Sequence, residues 1–181
     1  FALGVIPSVL LGSVSLPADL AWVPPWATVA TSMFLHGGLG HLLGNLLFLW
    51  IFGNNVEDAM GHLRFLAFYL LCGVAAVFAQ VLPDPTSNLP MVGASGAISG
   101  VLGAYLLLYP HARVLVLIPL GVFSRMLYLP AMVVLGFWFL LQLLSTLLAD
   151  PDQPGVAFGA HAGGFVAGML LIPLFKRREI R

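Results

Sequence analysis

Residues 159–168 have the sequence GAHAGGFVAG, which places one histidine among four glycines in a strongly apolar part of the chain. His161, Gly164 and Gly168 are three and four residues apart, so they fall on one face of an α-helix. Small residues on such a face let two helices approach closely in lipid, and a histidine inside a membrane helix is by default a functional residue. The stretch therefore predicts a membrane helix that packs tightly against a neighbour and presents an imidazole beside the contact.

Two other apolar segments begin with similar polar and glycine-rich stretches. The first of these segments includes HGGLGHLLGNLLFLWIFG at residues 36–53, and the second begins with GASGAISG at residues 93–100. The second segment has a small-residue face of its own, made of Gly96, Gly100 and Gly103. We expect this face to pack on the glycine face around His161, close enough for the hydroxyl of Ser95 to reach the imidazole.

The composition favours a membrane protein. Hydrophobic residues make up 60% of the 181 residues, Asp, Glu, Lys and Arg make up only 8%, and the mean hydropathy is +1.03. A soluble domain of this size needs far more surface charge. The formal net charge is zero and no basic face is available for phosphates, so we expect no nucleic-acid partner. Cys72 is the only cysteine, which excludes an internal disulfide and a cysteine-based metal site, and we expect it to face lipid or to pack.

Five segments are long and apolar enough to cross, or nearly cross, a bilayer. They cover roughly residues 34–56, 63–82, 95–110, 128–148 and 158–175. The predicted fold class is an all-α polytopic membrane protein whose single domain spans residues 1–181. We expect an outer loop, partly embedded in the membrane, at 1–33, a helical bundle at 34–175 and a basic cytoplasmic tail at 176–181.

The distribution of cations predicts the orientation in the membrane. Every lysine and arginine follows the first, third or fifth predicted span, in the order Arg64, Arg113, Arg125, Lys176, Arg177, Arg178 and Arg181. Lysine and arginine in short loops stay on the cytoplasmic side, so these three spans run from outside to inside and the C-terminus is cytoplasmic. All three polar stretches then begin on the outer side.

The polar stretches are also predicted to share a depth. Ser95 lies 14 residues before Tyr109, or roughly 21 Å above it, and His161 lies 15 residues before Lys176, or roughly 22 Å above that residue. Both positions lie inside a hydrocarbon core of about 30 Å, where irregular backbone requires a water-lined pocket. A helix that begins at Ser95 offers unpaired backbone N–H groups and the positive end of its dipole, which favour a developing oxyanion.

Together the three stretches resemble the rhomboid family of intramembrane serine proteases, and the resemblance covers nearly the whole chain. It implies a rhomboid-like bundle with a core of six helices, of which five lie in this chain and the first is expected before residue 1. It also implies that Ser95 is the nucleophile and that His161 is the general base and then the general acid. The implied partners are transmembrane protein substrates and membrane lipid, without a cofactor or a metal.

The resemblance assigns further roles around these two residues. His41 and Asn45, four apart on one helix face, would join the backbone N–H of Ser95 as oxyanion donors. His36 is expected to support the outer loop through hydrogen bonds. The other supporting positions are Gly93, Gly96 and Gly164.

The orientation of His161 is expected to differ from that in a catalytic triad. No third acid is expected beside it, so packing and backbone contacts would hold the ring. Ser99 stands where some family members carry an aromatic side chain that packs on the histidine. We therefore expect the imidazole of this chain to be held less tightly.

Other interpretations compete with this one. A serine in a glycine-rich membrane helix usually serves packing alone. A metal site made of His36, His41 and His161 would lack carboxylate and cysteine ligands, and on one helix the first two side chains would point about 140° apart. A non-catalytic rhomboid-like protein that binds transmembrane helices belongs to a different functional class, although such relatives usually lack the serine or the histidine. A transporter would need a charged residue at mid-membrane.

Several remaining residues carry smaller expectations. Glu57 is expected to brace loops at the end of the first span, and His62 and His111 are expected to lie at the interface. The side chains of residues 137–139, which are Phe, Trp and Phe, would either face lipid or form part of a lateral gate. The composition fits a bacterial or archaeal plasma membrane, and the natural substrate and the oligomeric state are left without a prediction.

Overall fold

The chain is mostly helical in the computed structural model, which describes residues 1–118, 124–150, 153 and 155–177. The α-helices are α1 (Pro7–Leu10), α2 (Thr28–Thr31), α3 (Leu39–Phe48), α4 (Asn54–Met60), α5 (His62–Val81), α6 (Ser95–Leu108), α7 (Ala131–Leu148) and α8 (Phe158–Phe175). A π-helical turn, Leu49–Gly53, makes α3 and α4 continuous, and 3-10 turns cover Pro25–Ala27 and Ser32–Phe34. Two strands, β1 (Arg113–Ile118) and β2 (Arg125–Pro130), lie between α6 and α7.

Three of these helices are long and apolar enough to cross a membrane alone, namely α5, α7 and α8. The segment Leu39–Met60 meets the same criteria together with Pro25–Phe34, from which it is bent by 79°. The 14 residues of α6 are apolar but span only roughly 21 Å, less than a hydrocarbon core of about 30 Å. The five predicted spans thus correspond to helices, and the third is short, as expected.

The glycine faces predicted from the sequence form the contact between α6 and α8. Two glycine pairs face each other in the same order along both helices, Gly96 with Gly164 and Gly100 with Gly168, so α6 and α8 run parallel. A Cβ added at Gly164 or Gly168 would overlap the backbone of α6, so only glycine permits this approach.

The other long helices alternate in direction around this pair. Cys72 of α5 packs on Gly100 and Ala76 packs on Gly96, so α5 runs antiparallel to α6. Cys72 is fully buried, which confirms packing rather than exposure to lipid. Phe52 contacts Tyr105 edge to face, and the hydroxyl of Tyr109 donates to the carbonyl of Asn55, so α3–α4 runs parallel to α6. The first, third and fifth predicted spans therefore share one direction.

The N-terminal segment covers the end of the bundle at which α6 and α8 begin. Val5 pairs with Met91 in an antiparallel bridge, and the hydroxyl of Ser8 donates to the side chain of Asn88. Val5 is fully buried and packs with Val77 and Val81 of α5. The beginning of the N-terminal segment, at Val5 and Ser8, is thus attached to the α5–α6 connection, close to Ser95 in the sequence.

The β-hairpin was not predicted. Its strands pair antiparallel, with Arg113 opposite Pro130 and Ile118 opposite Arg125. The fourth predicted span began at residue 128, whereas α7 begins at Ala131. The prediction was wrong because the pattern of a short apolar run does not distinguish a strand from a helix. The first span was also placed too early, since its helix begins at Leu39. Arg178 and Arg181, counted in the predicted basic tail, lie outside the described residues.

The α6–α8 contact gives a prediction about stability. We expect Gly168→Ala to lower the free energy of unfolding by about 1–3 kcal/mol, because the new methyl group would overlap the carbonyl of Gly100 and push the helices apart. Denaturant titration in detergent would measure this change. The matched control is Gly136→Ala on α7. Apart from the two neighbouring residues and the nearby backbone of α7 itself, no described atom lies within 4 Å of the Cβ added there. Equal destabilisation by both substitutions would contradict the role assigned to the contact.

Candidate active site

Ser95 and His161 meet at the beginning of the two parallel helices. Ser95 is the first residue of α6 and His161 lies in the first turn of α8, so the glycine contact between these helices brings the two side chains together. The Oγ of Ser95 lies 2.8 Å from the Nε2 of His161, within hydrogen-bonding distance. A hydroxyl held in this way can give its proton to the imidazole and become a nucleophile.

The second ring nitrogen of His161 is bound by a residue that the sequence did not reveal. The Nδ1 of His161 lies 2.8 Å from the Oε1 of Gln142 on α7. Because an amide oxygen only accepts, Nδ1 carries the proton and Nε2 is left free to accept the hydroxyl proton of Ser95. The prediction that packing and backbone contacts alone orient the ring was therefore wrong. Its one sequence signal is that Gln142 is the only amide side chain in α7.

Aromatic rings hold the imidazole from α7 as well. The ring of Trp138 stacks on His161 at 6.0 Å, with an interplanar angle of 30°, and Phe158 contacts it edge to face. The sequence predicted that the His161 ring would be held less tightly, because Ser99 stands where some family members carry an aromatic side chain. This looser hold is not observed, because Trp138 and Gln142 of α7 support the ring instead. The hydroxyl of Ser99 instead donates to the carbonyl of Ser95, at 2.6 Å.

The aromatic group at residues 137–139 divides between two environments. Phe137 is 63% exposed on the outer face of the bundle. Trp138 and Phe139 both contact Phe165 of α8, Phe139 by stacking at 4.6 Å. Phe137 is thus the exposed member of this group, whereas Trp138 and Phe139 contact α8, and this arrangement is compatible with both expectations, lipid-facing bulk and a lateral gate.

His41 points toward Ser95 from α3. A Cβ at Gly93 would lie 2.8 Å from the Nε2 of His41 and 3.5 Å from the Oγ of Ser95, so both side chains converge on this backbone position. Gly93 has a φ of +130°, and its N–H donates to the carbonyl of Ser32 at 2.9 Å. Glycine is needed there both for its conformation and for the space it leaves.

The tautomer of His41 follows from a contact on its other side. The backbone N–H of Gly37 donates to the Nδ1 of His41 at 3.3 Å. Nδ1 is therefore an acceptor, and the neutral ring carries its proton on Nε2, the atom that faces Gly93 and Ser95. His41 can thus donate a hydrogen bond into the space beside the Ser95 hydroxyl.

Asn45 lies one helical turn after His41 and is buried, with 8% of its surface exposed. Its Nδ2 has no hydrogen-bond partner among the residues that the structure describes. A buried donor without an acceptor costs free energy, so such a group calls for an explanation. A ligand oxygen that arrives only during function would supply the acceptor.

His36 does not behave as the sequence suggested. It precedes α3, because Gly37 and Gly38 separate it from the first residue of the helix. Its ring contacts that of His41 edge to face at 5.2 Å, so the prediction that the two side chains diverge on one helix was wrong. Its Nε2 makes no hydrogen bond within the described part of the chain, so the expected support of the outer loop through that atom is not seen.

The remaining supporting residues define the space around Ser95. Gly96 and Gly164 lie in the α6–α8 contact, where Ala76 of α5 packs against both. A small cavity adjoins the start of α6 and is lined by Gly93, Ser95 and Ala160 among others. The Oε1 of Gln80 accepts from the N–H of Ala160 at 3.1 Å and so fixes the first turn of α8. No group of three or more metal-ligating side chains occurs in residues 1–118, 124–150, 153 and 155–177.

Three residues expected at the opposite end of the bundle were also located. Glu57, in the middle of α4, contacts the Nδ1 of His62, the first residue of α5, at 2.5 Å. His62 is highly exposed, and His111 is exposed beside the hairpin. These positions agree with the bracing role predicted for Glu57 and with interfacial histidines.

The fold and this site together define a class of protein, a helical membrane bundle with a serine and a histidine joined at the start of two parallel helices. The family model described as Rhomboid domain matches residues 24–178. The Rhomboid protease GluP of Bacillus subtilis is 34% identical over 148 residues, which are 82% of this chain and 27% of that protein. The chain belongs to the rhomboid family and is a multi-pass membrane protein.

Other relatives come from organelles. The mitochondrial Presenilin-associated rhomboid-like protein of Homo sapiens is 31% identical over 163 residues, which are 82% of this chain and 39% of that protein. The chloroplastic Rhomboid-like protein 11 of Arabidopsis thaliana is 28% identical over 164 residues, 85% of this chain and 54% of that protein. The chain thus spans between about a quarter and a half of the length of these three relatives.

Proposed function

We propose that the chain is an intramembrane serine endopeptidase that hydrolyses a peptide bond in or near the transmembrane segment of membrane-protein substrates. The observation that carries this proposal is the 2.8 Å contact between the Oγ of Ser95 and the Nε2 of His161. The similarity to a relative named as a rhomboid protease supports it.

In the proposed reaction, the Nε2 of His161 takes the hydroxyl proton while the Oγ of Ser95 attacks the scissile carbonyl carbon. The carbonyl oxygen becomes an oxyanion, and three donors are available to it, the N–H of Ser95, the Nε2–H of His41 and the Nδ2 of Asn45. The C–N bond then breaks, and His161 gives its proton to the leaving amine. A water molecule, deprotonated by the same nitrogen, releases the acyl group and restores Ser95.

Gln142 would act as a positioning residue, since it touches His161 rather than the substrate. We expect Gln142→Leu to lower kcat by about 10- to 100-fold with little change in KM, because the ring would lose the partner that keeps the proton on Nδ1. Gln142→Glu keeps an acceptor at this position and should restore part of the rate. Gln153→Leu, in the α7–α8 connection, is the control. A change in KM alone would contradict the positioning role.

We infer that substrates enter sideways, between α3–α4 and α7. The buried residues of α7 are Ala131 and Leu135, both in its first two turns, whereas Trp138 and Gln142 contact α8 and are only partly buried. The half of α7 near the site is therefore the part that a substrate would displace at the smaller cost in buried surface. A peptide bond hidden inside a helix cannot meet a nucleophile, so substrates should carry helix-weakening residues near the cut.

This route can be tested by crosslinking a substrate to introduced cysteines. Leu43 on α3 and Phe137 on α7 are exposed and border the proposed entrance, whereas Leu71 is exposed on α5. Crosslinks are expected at the first two positions. Crosslinks at position 71 but at neither of the others would exclude this entrance.

The proposed orientation places the site toward the outer side of the membrane and the C-terminus in the cytoplasm. Arg64, Lys176 and Arg177 lie at the end of the bundle opposite Ser95, at the start of α5 and the end of α8. Such a one-sided distribution of cations is typical of the cytoplasmic face. The proposed location is a prokaryotic plasma membrane, with 1–33 as the outer loop and 34–175 as the bundle.

The alternative function is a non-catalytic rhomboid-like protein that binds transmembrane helices, and covalent labelling distinguishes the two. A fluorophosphonate probe should phosphonylate the Oγ of Ser95 in the reconstituted chain, with loss of fluoride, and His161→Ala should prevent the labelling. Ser13→Ala, on the exposed N-terminal segment, should label normally. A chain that binds a transmembrane peptide but is neither labelled nor able to cleave it would be the non-catalytic relative.

A further inference from the structure

A cavity of about 930 Å³ opens at the end of the bundle opposite Ser95. It lies where the turn between α4 and α5 meets the end of α8. Its volume falls within the range of sites that hold small ligands. None of the residues assigned above to the reaction lines it, so it needs an explanation of its own.

The lining of this cavity is cationic. Arg64, Lys176 and Arg177 all contribute to it and are exposed. None of the three makes an ion pair with any other residue that the structure describes, and the carboxylate of Glu57 nearby is already in contact with His62. Three neighbouring cations without a carboxylate partner in the described chain favour the binding of an anion.

The position of one cation is fixed by the backbone. The N–H of Arg177 donates to the carbonyl of Ala59 at 2.9 Å, which ties the end of α8 to the end of α4. Its guanidinium group lies directly against Gly61, which has a φ of +88° and no side chain to displace it. Arg177 is thus held at the cavity by a backbone contact between the end of α8 and the end of α4.

The same cavity has an apolar side. Leu63 and Leu174 line it and are 84% and 77% exposed, respectively. They belong to α5 and α8, two helices long and apolar enough to span a membrane, which begin and end at this level. The cavity therefore lies where the hydrocarbon core gives way to the headgroup region, with cations on one side and exposed leucines on the other.

We propose that this cavity binds an anionic phospholipid, with the phosphate between Arg64, Lys176 and Arg177 and an acyl chain along Leu63 and Leu174. A soluble phosphate would use the cations but leave the exposed leucines without a partner. A zwitterionic lipid would use the leucines but would bring its own cation to the phosphate. Only an anionic lipid matches both sides of the cavity. Lipid binding at this site does not depend on the proposed protease activity.

The test measures lipid retention by native mass spectrometry of the full chain, released from bilayers of phosphatidylglycerol and phosphatidylcholine. We expect phosphatidylglycerol to be retained preferentially. A cation near the membrane surface contributes about five-fold to such binding, so Arg64→Gln with Lys176→Gln should weaken retention by roughly 25-fold. Both side chains are exposed, and an unchanged thermal midpoint would show that the double variant is folded.

The matched control neutralises two other cations at the same end of the bundle, with Arg113→Gln and Arg125→Gln in the hairpin. This pair lies outside the cavity lining and should leave retention within about two-fold of the unchanged chain. Equal weakening in both double variants would mean diffuse surface attraction and would overturn the site. Equal retention of phosphatidylcholine, or displacement of the lipid by millimolar inorganic phosphate, would also overturn the assignment to an anionic lipid.

Discussion

Ser95→Ala and His161→Ala are each expected to lower the rate of substrate cleavage by about a thousand-fold or more. Ser95→Ala removes the attacking oxygen, and His161→Ala leaves the hydroxyl of Ser95 without the base that lies 2.8 Å away. Residues that act as one unit in catalysis show strongly non-additive losses. The double variant should therefore be no slower than either single variant within a few-fold.

The measurement is the cleavage of a fluorogenic transmembrane peptide by the chain reconstituted in lipid. The matched controls are Ser13→Ala and His111→Ala, which change an exposed serine and an exposed histidine outside the site and should retain full activity. Equal cleavage by the unchanged chain and both site variants would point to a contaminating protease. Losses that multiply in the double variant would show that the two side chains act separately, against the proposed mechanism.

The second large effect is expected from Asn45→Leu, which should lower kcat by about 100- to 1000-fold, equivalent to about 2.7–4 kcal/mol, with little change in KM. The Nδ2 of Asn45 is buried and unpartnered in the described chain, and an oxyanion that forms only in the transition state would be its acceptor. His41→Ala should cause a loss of similar size, because it removes the Nε2–H that faces Ser95.

A stability measurement separates this role from a structural one. The described structure gives the Nδ2 of Asn45 no acceptor, so Leu, which is similar in volume, should leave the free energy of unfolding unchanged or raise it. A structural asparagine would show the reverse, with a loss of stability and a preserved kcat. Asn54→Leu, at an exposed position on α4, controls for the general effect of replacing an amide by an apolar side chain.

The sequence was sufficient to predict the parts of this molecule that depend on regular spacing. Apolar length located the helices of the five predicted segments, of which α6 is too short to cross a membrane alone, and the glycine spacing in α6 and α8 predicted which faces pack and that Ser95 would meet His161. These predictions succeeded because helical periodicity converts spacing along the chain directly into position on a face. The family stretches added His41 and Asn45, which the structure locates on α3, with His41 facing Ser95.

The structural features that the sequence did not predict depend on tertiary packing. Gln142 and Trp138 reach His161 from α7, and no spacing within α7 indicates which of its faces meets α8. His36 was misplaced because the two glycines after it allow a bend before α3, and the helix rule does not apply across a bend. The hairpin after α6 was missed because runs of leucine and valine are compatible with both strand and helix.

The shortness of α6 bears on the fate of the two ends that cleavage would produce. Proteolysis turns one uncharged peptide bond into a carboxylate and an ammonium group, and neither new terminus can remain in hydrocarbon without a large cost. The first residue of α6 lies roughly 21 Å above the inner end of the helix, which is below the level that a full-length span would reach. The two new termini would therefore form below the outer surface of the membrane, in a water-lined pocket. Under the proposed function, product departure would be driven by the hydration of these new charges, which makes the cleavage effectively one-way.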